Sequence, residues 1–78
     1  MPKRSISIRG HRTSIALEAE FWSALDMAAR RRGVSLPVLI SEIDAERLKR
    51  APAPGLASAL RVFALNDTGA SGAGDEPR

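Results

Sequence analysis

Apolar residues recur along the chain with two different periods. Residues 4–9, Arg-Ser-Ile-Ser-Ile-Arg, alternate with period two until Gly10 interrupts them. Such alternation marks an extended segment with one apolar face. Beyond Gly10 the alternation resumes on odd numbers. Thr13, Ile15 and Leu17 share one face, and Arg12, Ser14 and Ala16 share the other. The change of parity predicts a bulge or bend at Gly10. The pattern reads as an N-terminal arm or strand extension over residues 1–10, then one short strand over 11–17 followed at once by helix.

From Glu18 the period becomes helical. Phe21, Trp22, Leu25, Ala28 and Ala29 recur at three- and four-residue spacing, which predicts an amphipathic helix over 18–32. Glu18 and Glu20 fall in its first turn and Arg30, Arg31 and Arg32 in its last, each complementing the helix dipole. Gly33 ends it. Ser35 is a suitable N-cap for a second helix, from Leu36 to about Arg50. Pro37 sits in the first turn, where its missing N–H costs little. Leu36, Leu39, Ile40, Ile43 and Leu48 form the apolar stripe of this helix. Ala51-Pro52-Ala53-Pro54-Gly55 breaks the chain, and a third helix is expected from Leu56 to Leu65. Its buried side carries Leu56, Ala59, Leu60, Phe63 and Ala64. From Asn66 onward Gly, Ala, Ser and Asp dominate, so residues 66–78 are expected to be a disordered tail.

The fold class is therefore mostly α with one short strand, and residues 11–65 make one domain. A chain of 78 residues buries a small core that is marginal alone. Small domains usually add disulfides, a metal or a partner subunit. There is no cysteine, and the single histidine, His11, cannot build a zinc site unaided. No metal and no cofactor are expected. Oligomerisation remains. A single strand has no pairing partner within its own chain, so two copies joined antiparallel over residues 11–17 would resolve the exposed edge.

Charge is distributed unevenly. Residues 1–12 carry Lys3, Arg4, Arg9 and Arg12 with no acid, residues 13–65 are nearly balanced, and residues 66–78 are net acidic. A basic N-terminus beside a neutral body points to a polyanionic partner, the alternative being a solvated leader. The N-terminus lacks the apolar run of a signal peptide, and no stretch approaches the length that spans a bilayer. The expected location is the cytoplasm, without membrane contact. No nucleophile–base pair, paired carboxylates or glycine-rich phosphate loop occurs at a useful spacing, so an enzyme is not expected.

Four stretches follow the order of the elements: Arg12-Thr-Ser-Ile-Ala-Leu-Glu-Ala-Glu-Phe-Trp22, Ala24-Leu-Asp-Met-Ala-Ala29, Arg32-Gly-Val-Ser-Leu36 and Leu39-Ile-Ser-Glu-Ile-Asp44. Together with that order they resemble the ribbon-helix-helix DNA-binding proteins. Gly10-His-Arg-Thr-Ser-Ile15 and Leu56-Ala-Ser-Ala-Leu-Arg-Val-Phe63 further resemble a bacterial branch carrying an added C-terminal helix. The resemblance covers residues 4–65. It implies an intertwined homodimer whose two-stranded antiparallel intermolecular β-ribbon enters the major groove of double-stranded DNA. Arg12, Ser14 and Ala16 would then be the base readers. Arg12 suits guanine O6 and N7, Ser14 suits several bases, and Ala16 could touch only a thymine methyl.

The resemblance also implies a phosphate clamp of backbone amides at the start of the second helix, at Val34, Ser35 and Leu36, with Pro37 removing one amide. Lys3, Arg4 and Arg9 would add phosphate contacts and salt dependence. The dimer core would comprise Ile15, Leu17, Phe21, Trp22, Leu25, Leu39, Ile40, Ile43, Leu60 and Phe63. His11 reads more simply as a partly buried polar residue than as a reader or switch. Phe21 and Trp22 read as core rather than base-stacking groups.

The leading function is a sequence-specific DNA-binding transcriptional regulator, most simply a repressor that occupies a promoter, with tandem dimers or paired half-sites supplying specificity. Two alternatives stay open. One is the antitoxin of a toxin–antitoxin pair, although residues 66–78 offer no aromatic or large aliphatic anchor. The other is a protein-interaction adaptor that has lost DNA reading, favoured by Ala16 and Pro37.

Overall fold

A computed structural model describes residues 1–75 of the chain, with side chains described as far as Asp67. Strands β1 (Lys3–Ile8) and β2 (His11–Ala16) precede helices α1 (Ala19–Arg32), α2 (Leu36–Arg47) and α3 (Leu56–Asp75). The two strands form one antiparallel sheet, with Ile8 opposite His11, Ile6 opposite Thr13 and Arg4 opposite Ile15. This corrects the expectation of a single strand that must find its partner in another chain. Residues 3–8 are themselves a strand, and β2 has a partner within its own chain.

Gly10 is accordingly part of a hairpin turn rather than a bulge. Arg9 and Gly10 both have positive φ, 49° and 82°. Two positive-φ residues in a two-residue loop make the turn whose twist matches that of the flanking strands. The same geometry explains the parity change. Cross-strand partners pair an even with an odd number, so Ile6 and Ile8 lie on the same face as Ile15. All three are buried.

That inner face closes over the helices. Ile6, Ile8, Ile15 and Leu17 join Trp22 and Leu25 of α1, Leu39, Ile40 and Ile43 of α2, and Leu60 and Ala64 of α3 in one cluster. Phe21 and Phe63 pack against it partly buried. The residues expected in a dimer core thus also fill a core within one chain, because β1 supplies the covering layer. Leu48 departs from the expected stripe of α2. The helix ends at Arg47, and Leu48 is 52% exposed.

Trp22 ties β1 to α1. Its ring Nε1 donates to the Pro2 carbonyl at 3.1 Å, and the Arg4 guanidinium lies 4.6 Å from its ring centroid. Leu17 N–H donates to the same Pro2 carbonyl at 3.1 Å. Of the two readings of residues 1–10, arm or strand extension, the structure places residues 3–8 in a strand, with Pro2 and Arg4 tied to Trp22.

The junction between α1 and α2 follows the sequence signals. Gly33 adopts φ 69° and closes α1, with its N–H on the Arg30 carbonyl and that of Val34 on the Ala29 carbonyl. A left-handed C-terminal residue with these paired bonds satisfies the last carbonyls of the helix. A Cβ at Gly33 would meet nothing within 4 Å, so its cost is confined to the backbone. Gly33→Ala is expected to lower stability by about 1 kcal/mol, read from thermal unfolding. Ser35 Oγ accepts from Val38 N–H at 3.4 Å at the start of α2.

Helix α3 continues to Asp75, ten residues beyond the expected end at Leu65, so residues 66–75 are helical rather than a disordered tail. Residues 76–78 of the expected tail lie outside the described residues. Asp67 pairs with Arg31 and Arg32 on the last turn of α1, which gives the continued helix a tertiary anchor. At the other end of α1, Arg61 Nε donates to Glu18 Oε1 at 2.9 Å. That hydrogen bond, aided by the backbone and the Arg61 charge, holds the Glu18 carboxyl below its ordinary pKa. The stabilisation is present above the unfolded-state pKa and is lost as pH falls through the lowered folded value. Glu18→Gln should therefore lower the melting temperature at neutral pH and leave the acid end little changed, which flattens the acid limb of melting temperature against pH.

Candidate nucleic-acid interface

The outward face of the hairpin carries Lys3, Ser5 and Ser7 from β1 and Arg12, Ser14 and Ala16 from β2. All are exposed except the half-buried Ala16. The register sets Ser7 opposite Arg12, Ser5 opposite Ser14 and Lys3 opposite Ala16. This face holds two cations and no carboxylate. Its residues are small apart from those two, so a flat polyanion can approach the backbone closely.

The backbone groups of β2 divide between its two edges. Next to a two-residue loop, Ile8 and His11 form a hydrogen-bonded pair, and such pairs recur at every second residue. The Leu17 N–H bond to Pro2 continues that series. His11, Thr13 and Ile15 therefore turn their N–H and C=O groups toward β1. Arg12, Ser14 and Ala16 turn theirs to the other edge, which has no strand partner among the described residues. The three outward side chains thus sit on the same residues that offer an open pairing edge.

The remaining candidate phosphate contacts fare differently. Lys3 is exposed on the outward face. Arg4 lies on the inner face, where its guanidinium meets both Asp26 carboxylate oxygens at 3.2 and 3.3 Å and covers Trp22. Arg9, in the hairpin turn, lies 3.5 Å from Asp44 of α2. Asp44 is nearly buried and also accepts from Arg47 Nε at 2.7 Å, while Arg47 donates onward to the Pro54 carbonyl at 3.0 Å. Arg4 and Arg9 therefore already have carboxylate partners within the chain, and their first effect is to fasten the hairpin to α1 and α2.

At the start of α2 the Val34 amide is spent on closing α1, and Pro37 has none. Of the residues expected in a clamp, Val34, Ser35 and Leu36, only Ser35 and Leu36 keep an amide outside the described backbone hydrogen bonds. His11 is exposed at the turn end of the sheet, opposite Ile8, rather than partly buried. Sequence reasoning missed the outward residues of β1, although the Ser-Ile-Ser-Ile alternation and the parity change at Arg9-Gly10 carried the signal.

A second surface lies between α2 and α3. An open groove of about 500 Å³ there is lined by Arg47, Glu46, Val62, Phe63 and Asn66 among others. Val62 and Leu65 of α3 are exposed apolar residues beside it. The Arg32 guanidinium lies 4.9 Å from the Phe63 ring centroid. Among the described residues there is no cluster of three or more His, Asp or Glu side chains that could hold a metal ion. No helix among them is long and apolar enough to cross a membrane.

The family model described as the ribbon-helix-helix domain matches residues 1–68. Neither the curated proteins nor the solved structures yield a match.

Proposed function

The chain belongs to the ribbon-helix-helix domain family, and from that premise we propose that it is a sequence-specific DNA-binding regulator acting as a homodimer. The observation that carries this reading is the outward face of the hairpin, with Arg12 and Lys3 beside small hydroxyl side chains and no acid. Two copies joined through the open edge of β2 would place two Arg12, two Ser14 and two Ala16 side chains at the centre of one surface. B-DNA's major groove is wide enough for a two-stranded ribbon. Arg12 would donate to guanine O6 and N7, Ser14 would bond a neighbouring base edge, and Ala16 would contact a thymine methyl. The Ser35 and Leu36 amides would hold a phosphate at the N-terminus of α2. A dimer covers few base pairs, so paired or tandem sites would raise specificity. Occupancy of a promoter makes repression the simplest outcome.

Selection of genomic DNA fragments by the purified protein tests the proposal. The expected result is enrichment of a short symmetric motif that disappears when Arg12 and Ser14 are both replaced by alanine. Weak binding, equal for all fragments and abolished by modest salt, would reduce the interface to its unspecific basic charge.

A second reading draws on the exposed Val62 and Leu65 beside the groove between α2 and α3. These would suit a protein partner, as in an antitoxin or an adaptor. A small neighbouring reading frame that is toxic when expressed alone would favour the antitoxin form. Function that survives Arg12→Ala but not Phe63→Ala would favour the adaptor.

A further inference from the structure

The geometry points to β1 as a phosphate-contacting strand, with Ser5, Ser7 and Lys3 seated on the DNA backbone at the rim of the groove that β2 enters. The inference rests on the regulator reading and adds a role for two residues outside the ribbon's central pair, Ser5 and Ser7, beside the phosphate contact already expected of Lys3. In a dimer joined through the open edge of β2, the strand order is β1–β2, then the second copy's β2–β1. Strands in a sheet lie about 4.8 Å apart, so β1 runs roughly 7 Å from the dimer axis. The major groove is about 12 Å wide, so its wall begins roughly 6 Å from the same axis. The inner strands fit between the walls, and the outer strands fall over the phosphates.

The side chains on β1 suit that position. Lys3, Ser5 and Ser7 point outward in register with Ala16, Ser14 and Arg12 and are all exposed. Among the described hydrogen bonds neither serine hydroxyl has a partner in the chain. Hydroxyl groups and lysine ammonium groups are common donors to phosphate oxygens, where they fix register without reading sequence. The inner face of β1 is meanwhile fastened by Arg4 to Asp26 and Trp22, which holds the strand at a fixed distance from β2.

The test compares wild type, Ser5→Ala with Ser7→Ala, Ser5→Thr with Ser7→Thr, and Lys3→Ala. Each is titrated over a range of salt on the wild-type-selected duplex and on a mixed-sequence duplex. The alanine pair is expected to bind both duplexes about tenfold more weakly with an unchanged preferred motif, and the threonine pair to recover most of that loss. Lys3→Ala is expected to reduce the slope of log affinity against log salt by about 1.8, from two phosphates per dimer. Melting temperatures near wild type confirm that the hairpin is intact. Serine variants that retain full affinity would place β1 off the DNA, and a changed motif would place it against bases. Either result overturns this inference while leaving the regulator reading intact. A wild-type protein that selects no motif overturns the regulator reading and this inference with it.

Discussion

Trp22→Ala is expected to remove a large share of the chain's stability, about 3–5 kcal/mol. Trp22 is 2% exposed and sits where β1, β2 and α1 meet. Truncating a buried tryptophan to alanine costs about 3–5 kcal/mol through lost transfer energy and an unfilled cavity. The same change removes one of the two donors to the Pro2 carbonyl and the ring beneath Arg4. A chain of this size has a total stability of roughly 4–12 kcal/mol, so the loss takes at least about a quarter of it. Trp22→Phe keeps a ring under Arg4 and forfeits the Nε1 hydrogen bond, for a loss of about 1–2 kcal/mol plus a smaller cavity. Urea unfolding followed by far-ultraviolet circular dichroism measures both. A loss below about 1 kcal/mol for the alanine variant would show that the N-terminal strand is not anchored through this residue.

Arg12→Ala is expected to remove most sequence discrimination while leaving the fold intact. The side chain is exposed on the outward face, opposite Ser7, and makes none of the ion pairs that fasten the hairpin. A well-formed arginine–guanine contact contributes about 1–3 kcal/mol of discrimination, and a dimer carries two. The selected duplex should then lose roughly 30-fold to 10⁴-fold in competition against mixed-sequence DNA. Binding to mixed-sequence DNA should fall less, with a reduced salt slope, because only a phosphate-proximal charge is lost there. Competition titrations at one fixed salt concentration separate the two effects. Equal losses on both duplexes would reassign Arg12 to the backbone.

The helices were legible because their signals are local. Phe21, Trp22 and Leu25 recur at helical spacing, Gly33 ends α1, and Ser35 opens α2 through a bond to the Val38 amide. The outward placement of Arg12 and Ser14 followed from alternation alone, since residues of one parity share a face. The hairpin was harder. A two-residue turn of this type is usually announced by Asn-Gly or Asp-Gly, and here a bulky Arg9 takes the first positive-φ position. The Arg9 contact with Asp44 joins residues far apart in sequence and is visible only after folding.

The same limit applies to the other basic residues. Nothing in the order of residues says that Arg4 belongs to Asp26 and Trp22, so a charge that suggested a free arm became a fastening. Helix α3 likewise runs past Leu65 through Gly, Ser and Thr, all poor helix formers, with Asp67 held by two arginines of α1. Tertiary pairing there overrides local propensity.

Replacing the purines of the selected site with 7-deazapurines shows whether the ribbon reads base edges in the major groove. The substitution removes the N7 acceptor of guanine and adenine and leaves the minor groove unaltered. Wild-type affinity is expected to fall at least tenfold on the substituted duplex, while Arg12→Ala should bind both duplexes alike. Undiminished wild-type binding to the substituted site, with loss of binding when a minor-groove ligand is added, would place the ribbon outside the major groove.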